Sequence, residues 1–425
     1  MRGERFSHWG NPRTIFLVAV AVRLVSILLF SETKSPELWE FGGIARNIVS
    51  GNGYSLGYSP SSEVQRWPSA ASFVVPSAYM PPGYVLLIAG FLSVFGERTV
   101  SYLLILLFQC VVGAVAAVLL YRIAFRLYSN NTAVLAGYIG ALYPPFIYAG
   151  LDYGSTILYL LVLGLFLLTS VTLQQAPSGV LAVAAGLLGG ALALVRAEGV
   201  IIVAVICLWL MFNGLFRKSL VVIAVLIACL LPWAARNAVV FGKTIPITTS
   251  FGLNLWRGHN PQSTGTGRDF SGEGVWSSDR IDSALAGIPR TARYEVSRDS
   301  VFLAGALEFI TSQPVSEIRL ALKKVLFLWT IDITHPRARS VPYILSWGLL
   351  AACFFAGLKA GLAADRVSGV LLSFGAAMTI VAAGIFVLPR YQIILSFGIT
   401  PISALGLSRI AGRMRPLLMT FRTRP

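Results

Sequence analysis

Two carboxylates within one short stretch are the residues of this chain best suited to acid–base chemistry. Glu37 and Glu40 lie in SPELWEFGGIARNIVSGN, residues 35–52, directly after the first long apolar run. Apolar residues recur there at helical spacing, which predicts an amphipathic helix on a membrane surface with both acids on one side. A carboxylate beside a dehydrated surface has a raised pKa and can act as a general base. The alternative is a polar helix face that happens to hold two acids.

Further charged residues stand at the ends of apolar segments, where a charge at membrane depth costs free energy and is often functional. Arginine holds phosphate groups through paired hydrogen bonds, so several arginines in one pocket would suit a phosphate-containing leaving group. Each one alone could equally be an interfacial or structural charge. The candidate binding residues are Asp152, Arg196, Glu198, Arg236, Arg257, Arg390 and Tyr391.

The sequence carries no pattern typical of a metal or nucleotide site. The three histidines, His8, His259 and His335, are scattered, and no HExxH, CxxC or Asp-x-Asp pair occurs. A Walker loop and GxGxxG are also absent, so no nucleotide-binding domain is expected. We therefore predict no cofactor. A divalent metal would be compatible with the chemistry but is not required, because arginines can supply the positive charge.

The composition predicts a polytopic membrane protein that must position these side chains. Of the 425 residues, 56% are hydrophobic and only 12% are charged, with a mean hydropathy of +0.74. Soluble domains are nearer one quarter charged. The net charge of +16 is expected of basic loops that set topology and contact anionic headgroups, so nucleic-acid binding is not predicted.

About ten membrane spans are predicted from apolar runs near the 20 residues that a bilayer requires and from the bias of basic loops to the inner side. The run 82–95 is shorter and follows Pro81. Treating it as a half-embedded helix keeps Arg122 and Arg126 on the inner side. The predicted spans are 14–30, 101–121, 133–149, 153–173, 179–195, 199–214, 219–235, 342–360, 367–388 and 391–409.

This topology places both termini inside and two large loops outside. Nearly every acidic residue then falls on the outer side, with Glu4 and Asp365 as exceptions. The positions of the acids were not used to derive the topology, so they support it independently. The predicted organisation is a transmembrane module, 1–236, with its first outer loop at 31–80, an outer loop region, 237–340, and C-terminal transmembrane helices, 341–425.

The second outer region divides by composition. Residues 254–300 are polar and rich in Gly and Ser, which predicts an ordered but irregular lid with short helices. Residues 290–328 show a helical apolar period that Pro314 interrupts, so two consecutive helices are expected there.

In the order of its motifs the chain resembles the membrane-embedded GT-C glycosyltransferases, of the dolichyl-phosphate-mannose protein mannosyltransferase and lipid A aminoarabinose transferase kind. The family pattern of an acid, an aromatic and an alanine corresponds to Glu37, Phe41 and Ala45. Gly51-Asn52-Gly53-Tyr54 and Pro81-Pro82-Gly83-Tyr84 follow. The later segments that resemble bacterial members are GALALVRAEG, PWAARN, TSFGLNLWRGHNP and LPRYQ.

The resemblance implies an all-α membrane fold of GT-C type: a polytopic helical bundle with juxtamembrane helices in the first outer loop and a small irregular outer region. It also implies inverting transfer of a sugar from a polyprenyl-phosphate carrier to an acceptor hydroxyl on the outer face. Arginines would hold the phosphate, and the first-loop acid that would be the general base maps onto Glu37. The family usually has Asp there, one methylene shorter, so Glu40 could share or take over that role.

The expected partners are the lipid-linked sugar donor, membrane lipids, and an acceptor that is a lipid, a polysaccharide or a protein. The expected location is the inner membrane of a bacterium, with the active site facing the periplasm. Two alternatives stay open. One is a transporter or flippase for a lipid-linked sugar, although such proteins tend to show internal repeats and this chain shows none. The other is a polysaccharide ligase or polymerase that takes a diphosphate-linked donor.

Overall fold

The computed structural model describes residues 10–34, 36–61, 63–268, 278–334, 339–363 and 368–422, and these are largely helical. His8, His335, Glu4 and Asp365 lie outside the described residues. The helices are α1 (Pro12–Phe30), α2 (Trp39–Val49), α3 (Pro82–Phe95), α4 (Thr99–Leu127), α5 (Asn130–Leu142), α6 (Pro144–Leu151), α7 (Thr156–Gln175), α8 (Gly179–Val195), α9 (Gly199–Leu210), α10 (Phe216–Phe241), α11 (Phe251–Gly258), α12 (Asp279–Ala286), α13 (Tyr294–Ser312), α14 (Pro314–Trp329), α15 (Val341–Ala363), α16 (Gly369–Gly384) and α17 (Pro389–Arg422). The strands are β1 (Ser55–Tyr58), β2 (Val64–Gln65) and β3 (Phe73–Pro76).

Every predicted span coincides with helical structure, but fewer helices are long enough to cross a membrane unaided. Within the described ranges, six helical stretches are long and apolar enough, or seven if α5 and α6, bent by 45°, form one span. The predicted spans 179–195 and 367–388 form α8 and α16, of only 17 and 16 residues. The predicted spans 199–214 and 219–235 fall in one 43-residue stretch. That stretch is kinked at Gly214, whose φ of 82° leaves the helical range.

Small residues bring the helices of the bundle together. A Cβ added at Gly186 or Gly190 of α8 would overlap Val225 or Cys229 of α10. A side chain at Gly357 of α15 would likewise meet the backbone of α17. Close approach through glycine is the usual way to pack helices in lipid, where burial of apolar surface drives association little.

A buried arginine stabilises the break between α5 and α6. Because proline has no N–H, Pro144 and Pro145 leave the carbonyls of Gly140 and Ala141 without their helical donors. Arg23 of α1, only 2% exposed, donates to the Gly140 carbonyl at 3.1 Å and to the Ala141 carbonyl at 3.2 Å. The guanidinium therefore replaces the two missing N–H groups, and the bent pair can turn towards the outer loops.

The first outer loop contains a small sheet that the sequence analysis did not predict. Residues 35–52 were expected to be helical, but α2 covers only Trp39–Val49. Three strands then pair antiparallel in the order β2-β1-β3, with Tyr58 opposite Phe73. The 14-residue α3 is about 21 Å long at 1.5 Å per residue. It is shorter than a bilayer core, as expected of a half-embedded helix.

A buried carboxylate joins the two outer regions. Glu295 of α13 is 1% exposed. It accepts hydrogen bonds from the Tyr58 hydroxyl at 2.9 Å, the Ala78 N–H at 2.9 Å and the Thr249 hydroxyl at 2.6 Å. Burial raises the pKa of Glu295, while these hydrogen bonds oppose the shift. The predicted pair of helices is observed here as well, because α13 ends at Ser312 and α14 begins at Pro314.

Replacement of Arg23 by Ala tests the capping of the helix break. The change leaves two buried carbonyls unpaired, each at a cost of about 1–3 kcal/mol. We therefore expect a clear fall in the thermal unfolding midpoint of the purified protein. The control is Arg217→Ala, which removes an exposed arginine of α10 and should leave the midpoint unchanged. Equal midpoints for the two variants would contradict the capping role.

Candidate active site

A cavity of about 650 Å³ opens between the first outer loop, α6, the α8–α9 junction, α11 and the start of α17. Arginines outnumber acids on its walls, so the cavity favours an anionic ligand. Its acids are Glu40, Asp152 and Glu198, and its arginines are Arg66, Arg196, Arg257, Arg268 and Arg390.

Most of the side chains singled out from the sequence meet at this cavity, although they come from segments far apart in the chain. Glu37 and Arg236 do not line it. The predicted residues that do line it are Glu40, Asp152, Arg196, Glu198, Arg257, Arg390 and Tyr391.

The two glutamates of the first outer loop have different environments. The prediction that both project from one side of a helix is wrong, because α2 begins at Trp39 and Glu37 precedes it. The Glu37 side chain is 52% exposed and forms an ion pair with Arg66. Glu40 lies in the first turn of α2 and faces the cavity.

The Glu40 carboxylate makes no hydrogen bond or ion pair with any residue that the structure describes. The charge of Glu40 affects a neighbouring side chain. The pKa of Tyr79 is raised to about 12, mainly by burial and secondly by the negative charge of Glu40. A carboxylate that faces a cavity without a protein partner is available to accept a proton from a bound ligand.

Trp39 positions this carboxylate through a strained backbone. Its φ of 54° lies in the left-handed region, which costs a non-glycine residue about 1–2 kcal/mol. The indole N–H donates to Asp152 Oδ1 at 3.4 Å, and the Arg66 guanidinium lies 4.7 Å from the centre of the indole ring. These two contacts hold the residue immediately before Glu40. Nothing in the sequence signals the strain or the involvement of Arg66.

Two arginines from different parts of the chain line the cavity. Arg390, in the first turn of α17, is solvent-accessible within the cavity and has no hydrogen bond or ion pair to the described residues. Arg257, in the last turn of α11, lies 5.0 Å from the ring of Phe386. Burial lowers the pKa of Arg257, and the charge of Arg390 lowers it further. An anion between the two guanidinium groups would relieve this repulsion.

Arg196 and Glu198 form an ion pair on the cavity wall, at the junction of α8 and α9. Arg196 also donates to the Ser155 hydroxyl at 3.3 Å and lies 5.7 Å from the ring of Tyr391. These contacts favour a structural role for the pair over ligand binding, because the charge of Arg196 is already balanced by a neighbouring acid.

Arg236 has a structural environment outside the cavity. It donates to the Ser77 carbonyl at 2.6 Å and to the Tyr54 carbonyl at 3.0 Å, and its guanidinium lies 5.1 Å from the ring of Trp233. These contacts attach the end of α10 to the first outer loop. Arg268 lines the cavity, unlike Arg236. Arg268 was not predicted from the sequence, because it lies in a polar loop without a distinguishing pattern.

A buried cluster joins the segment that carries Arg257 and Arg268 to α14. Lys324 of α14 is fully buried, with Nζ 2.9 Å from His259 Nε2. His259 Nδ1 lies 2.8 Å from Glu317 Oε2. Burial lowers the pKa of Lys324 to about 8. Within the described ranges, no three His, Cys, Asp or Glu side chains come together as a metal site.

The buried amine predicts a pH dependence of stability. In the unfolded chain the lysine pKa is near 10.4. Between about pH 8 and pH 10, Lys324 is therefore protonated more fully in the unfolded state than in the folded state. The free energy of unfolding should then increase with pH over this range. We expect Lys324→Met to remove this rise in thermal unfolding measured from pH 7 to 10. The control is Lys323→Met at the exposed neighbouring position, which should leave the rise in place. A rise that persists in Lys324→Met would exclude Lys324 as its source.

Comparison with known proteins supports the fold. Residues 79–238 match the family described as dolichyl-phosphate-mannose-protein mannosyltransferase. The apo oligosaccharyltransferase of Archaeoglobus fulgidus superimposes with a TM-score of 0.56 at 16% identity, over 99% of this chain and 53% of that one. The AglB oligosaccharyltransferase of the same organism, in complex with an inhibitory peptide and a dolichol-phosphate, gives 0.57 at 16% identity, over 99% and 52%.

A third structure is more distant: ArnT from Cupriavidus metallidurans, bound to undecaprenyl phosphate, gives a TM-score of 0.44 at 15% identity, over 94% of this chain and 79% of that one. The chain spans about half the length of the oligosaccharyltransferase structures. No curated protein sequence matches it. The predicted all-α fold and the resemblance to the GT-C membrane glycosyltransferases are confirmed, and the chain is a multi-pass membrane protein.

Proposed function

We propose that this chain, which shares its fold with GT-C membrane glycosyltransferases, transfers a sugar from a polyprenyl-phosphate carrier to an acceptor hydroxyl. The observation that carries the proposal is that one cavity holds a carboxylate with no hydrogen-bond or ion-pair partner among the described residues together with an excess of arginines. The carboxylate is suited to activate the acceptor and the arginines to hold the phosphate. The fold-level relative solved with a dolichol-phosphate is consistent with such a donor.

The donor phosphate is proposed to lie between Arg257 and Arg390. Guanidinium groups bind phosphate oxygens through paired hydrogen bonds and stabilise the charge that develops as the phosphate leaves. Arg268 lines the same cavity and adds to its positive potential, whereas the charge of Arg66 is balanced by its ion pair with Glu37. The proposal needs no metal ion, because these arginines supply the positive charge.

Glu40 is proposed as the general base, a role that the sequence analysis assigned first to Glu37. Glu37 is exposed, pairs with Arg66 and does not line the cavity, whereas Glu40 does. Glu40 removes the proton of the acceptor hydroxyl, and the oxygen attacks the anomeric carbon from the face opposite the phosphate. The bond between the anomeric carbon and the phosphate oxygen breaks, and the carrier phosphate leaves with the electron pair. The anomeric configuration inverts.

The proposed setting is the inner membrane of a bacterium, with the cavity on the periplasmic side. The support for this orientation is the charge distribution: basic residues favour the inner side, Arg122 and Arg126 lie near the end of α4 and do not line the cavity, and three acids line the cavity. The acceptor is an alcohol of a lipid, a polysaccharide or a protein.

The two glutamates provide a matched test of the base. Sugar transfer from synthetic polyprenyl-phosphate donors would be measured with purified wild type, Glu40→Gln and Glu37→Gln in lipid. We expect Glu40→Gln to lower kcat by about 10²- to 10⁴-fold, as is typical when a general base is lost. Glu37→Gln should stay near wild type. The reverse pattern would return the role to Glu37, and full activity in both variants would refute a carboxylate base in this loop.

The phosphate assignment predicts a selective loss of donor affinity. Arg390→Ala removes one of the two guanidinium groups proposed to hold the phosphate, so the KM for the donor should rise more than the KM for the acceptor. Arg217→Ala, at an exposed position of α10, serves as the control. Equal changes in both KM values would argue against phosphate recognition by Arg390.

A ligase or polymerase that takes a diphosphate-linked donor is the second candidate, because an excess of arginines would also suit two phosphates. The released carrier distinguishes the two reactions. A carrier monophosphate supports the main proposal, and a carrier diphosphate supports the second. A flippase would release neither and would keep moving lipid-linked sugar in the Glu40→Gln variant.

A further inference from the structure

A second depression, of about 440 Å³, lies between α1 and α4. It is at the end of the bundle opposite to the active-site cavity, because it adjoins the start of α1, whereas the loop with Glu40 follows the end of α1. None of its residues lines the active-site cavity, so a ligand of this groove would bind independently of the proposed function. The residues that line it are Pro12, Arg13, Phe16, Leu17, Val115, Val118 and Arg122.

The groove is apolar along most of its length and basic at one end. On α1, Arg13 precedes Phe16 and Leu17 on the same helix face. On α4, Val115 and Val118 precede Arg122. The two helices run antiparallel: Glu32, just after α1, is linked to Tyr102 near the start of α4 through the Tyr153 hydroxyl. Both arginines therefore lie at the same end of the groove, and the apolar residues extend from them towards the middle of the bundle.

The dimensions suit part of a lipid. Arg122 lies seven positions after Val115, which corresponds to about 10 Å along a helix that rises 1.5 Å per residue. That length accommodates the glycerol region and the first methylene groups of acyl chains. The floor, formed by Phe16, Leu17, Val115 and Val118, offers no polar side chain to these groups.

The charge at the basic end is not balanced by the surrounding helices. Arg13 and Arg122 are exposed, and neither pairs with an acid among the described residues. Helices α1, α4 and α5 contain no Asp or Glu. Two arginines at one end of a helix–helix groove, next to an apolar floor, are complementary to an anionic headgroup joined to acyl chains.

We propose that this groove binds an anionic phospholipid of the surrounding membrane. Its phosphate lies between Arg13 and Arg122, and the upper part of its acyl chains lies along the apolar floor. The bound lipid bridges the start of α1 and the end of α4.

Native mass spectrometry of the purified full chain tests the site with two lipids that share acyl chains, phosphatidylglycerol and phosphatidylcholine. Wild type should retain phosphatidylglycerol preferentially. We expect the double variant Arg13→Gln, Arg122→Gln to weaken that retention by about tenfold or more, since a hydrogen bond to a charged group contributes roughly a factor of ten or above. Arg126→Gln is the matched control, because Arg126 is an exposed arginine one turn further along α4 that does not line the groove.

A second variant separates the groove from general surface attraction. Val118→Trp fills the apolar floor and leaves both arginines in place, so it should also reduce phosphatidylglycerol retention. The proposal is overturned if Arg126→Gln loses as much retention as the double variant, or if phosphatidylcholine is retained equally by wild type. It is overturned too if Val118→Trp has no effect, because the arginines would then attract lipid without a built site.

Discussion

Buried carbonyl groups at membrane depth need hydrogen-bond donors, and the shape of the cavity depends on how this need is met at one helix break. Pro144 and Pro145 end α5 and redirect the chain into α6, which lines the cavity, but they leave two carbonyls unpaired. Arg23 supplies the missing donors from α1. A charge within a membrane span is usually costly, but Arg23 is the group that stabilises this bend.

The outer loops face a similar requirement, and buried polar groups again fix their arrangement. Glu295 accepts hydrogen bonds from β1, from the segment after β3 and from the segment before α11. Arg236 attaches the end of α10 to the same first loop. Together they hold the first outer loop against the end of α10 and the segment that leads into α11, which carries Arg257. The acid and the arginines therefore meet at one cavity although no local sequence pattern links them.

The sequence could predict what depends on composition and local period. Apolar runs located the bundle helices, and the scarcity of acids at membrane depth pointed to Asp152 and Glu198, which line the cavity. It could not predict the start of α2, because that depends on the strained Trp39 and its tertiary contacts with Arg66 and Asp152. Strands of two to four residues carry too little alternation to be recognised. By length and composition, six or seven stretches of the described residues qualify as spans where ten apolar runs were predicted, because α8 and α16 are short and residues 199–241 count as one stretch.

We propose that one cavity holds both the donor phosphate and the base. The decisive experiment is a structure of the protein bound to a non-hydrolysable polyprenyl-phosphate sugar analogue. We expect the phosphate between Arg257 and Arg390, with the anomeric carbon turned towards the side of the cavity that holds Glu40. A phosphate bound elsewhere, or a sugar placed beside Glu37 and outside the cavity, would exclude this arrangement.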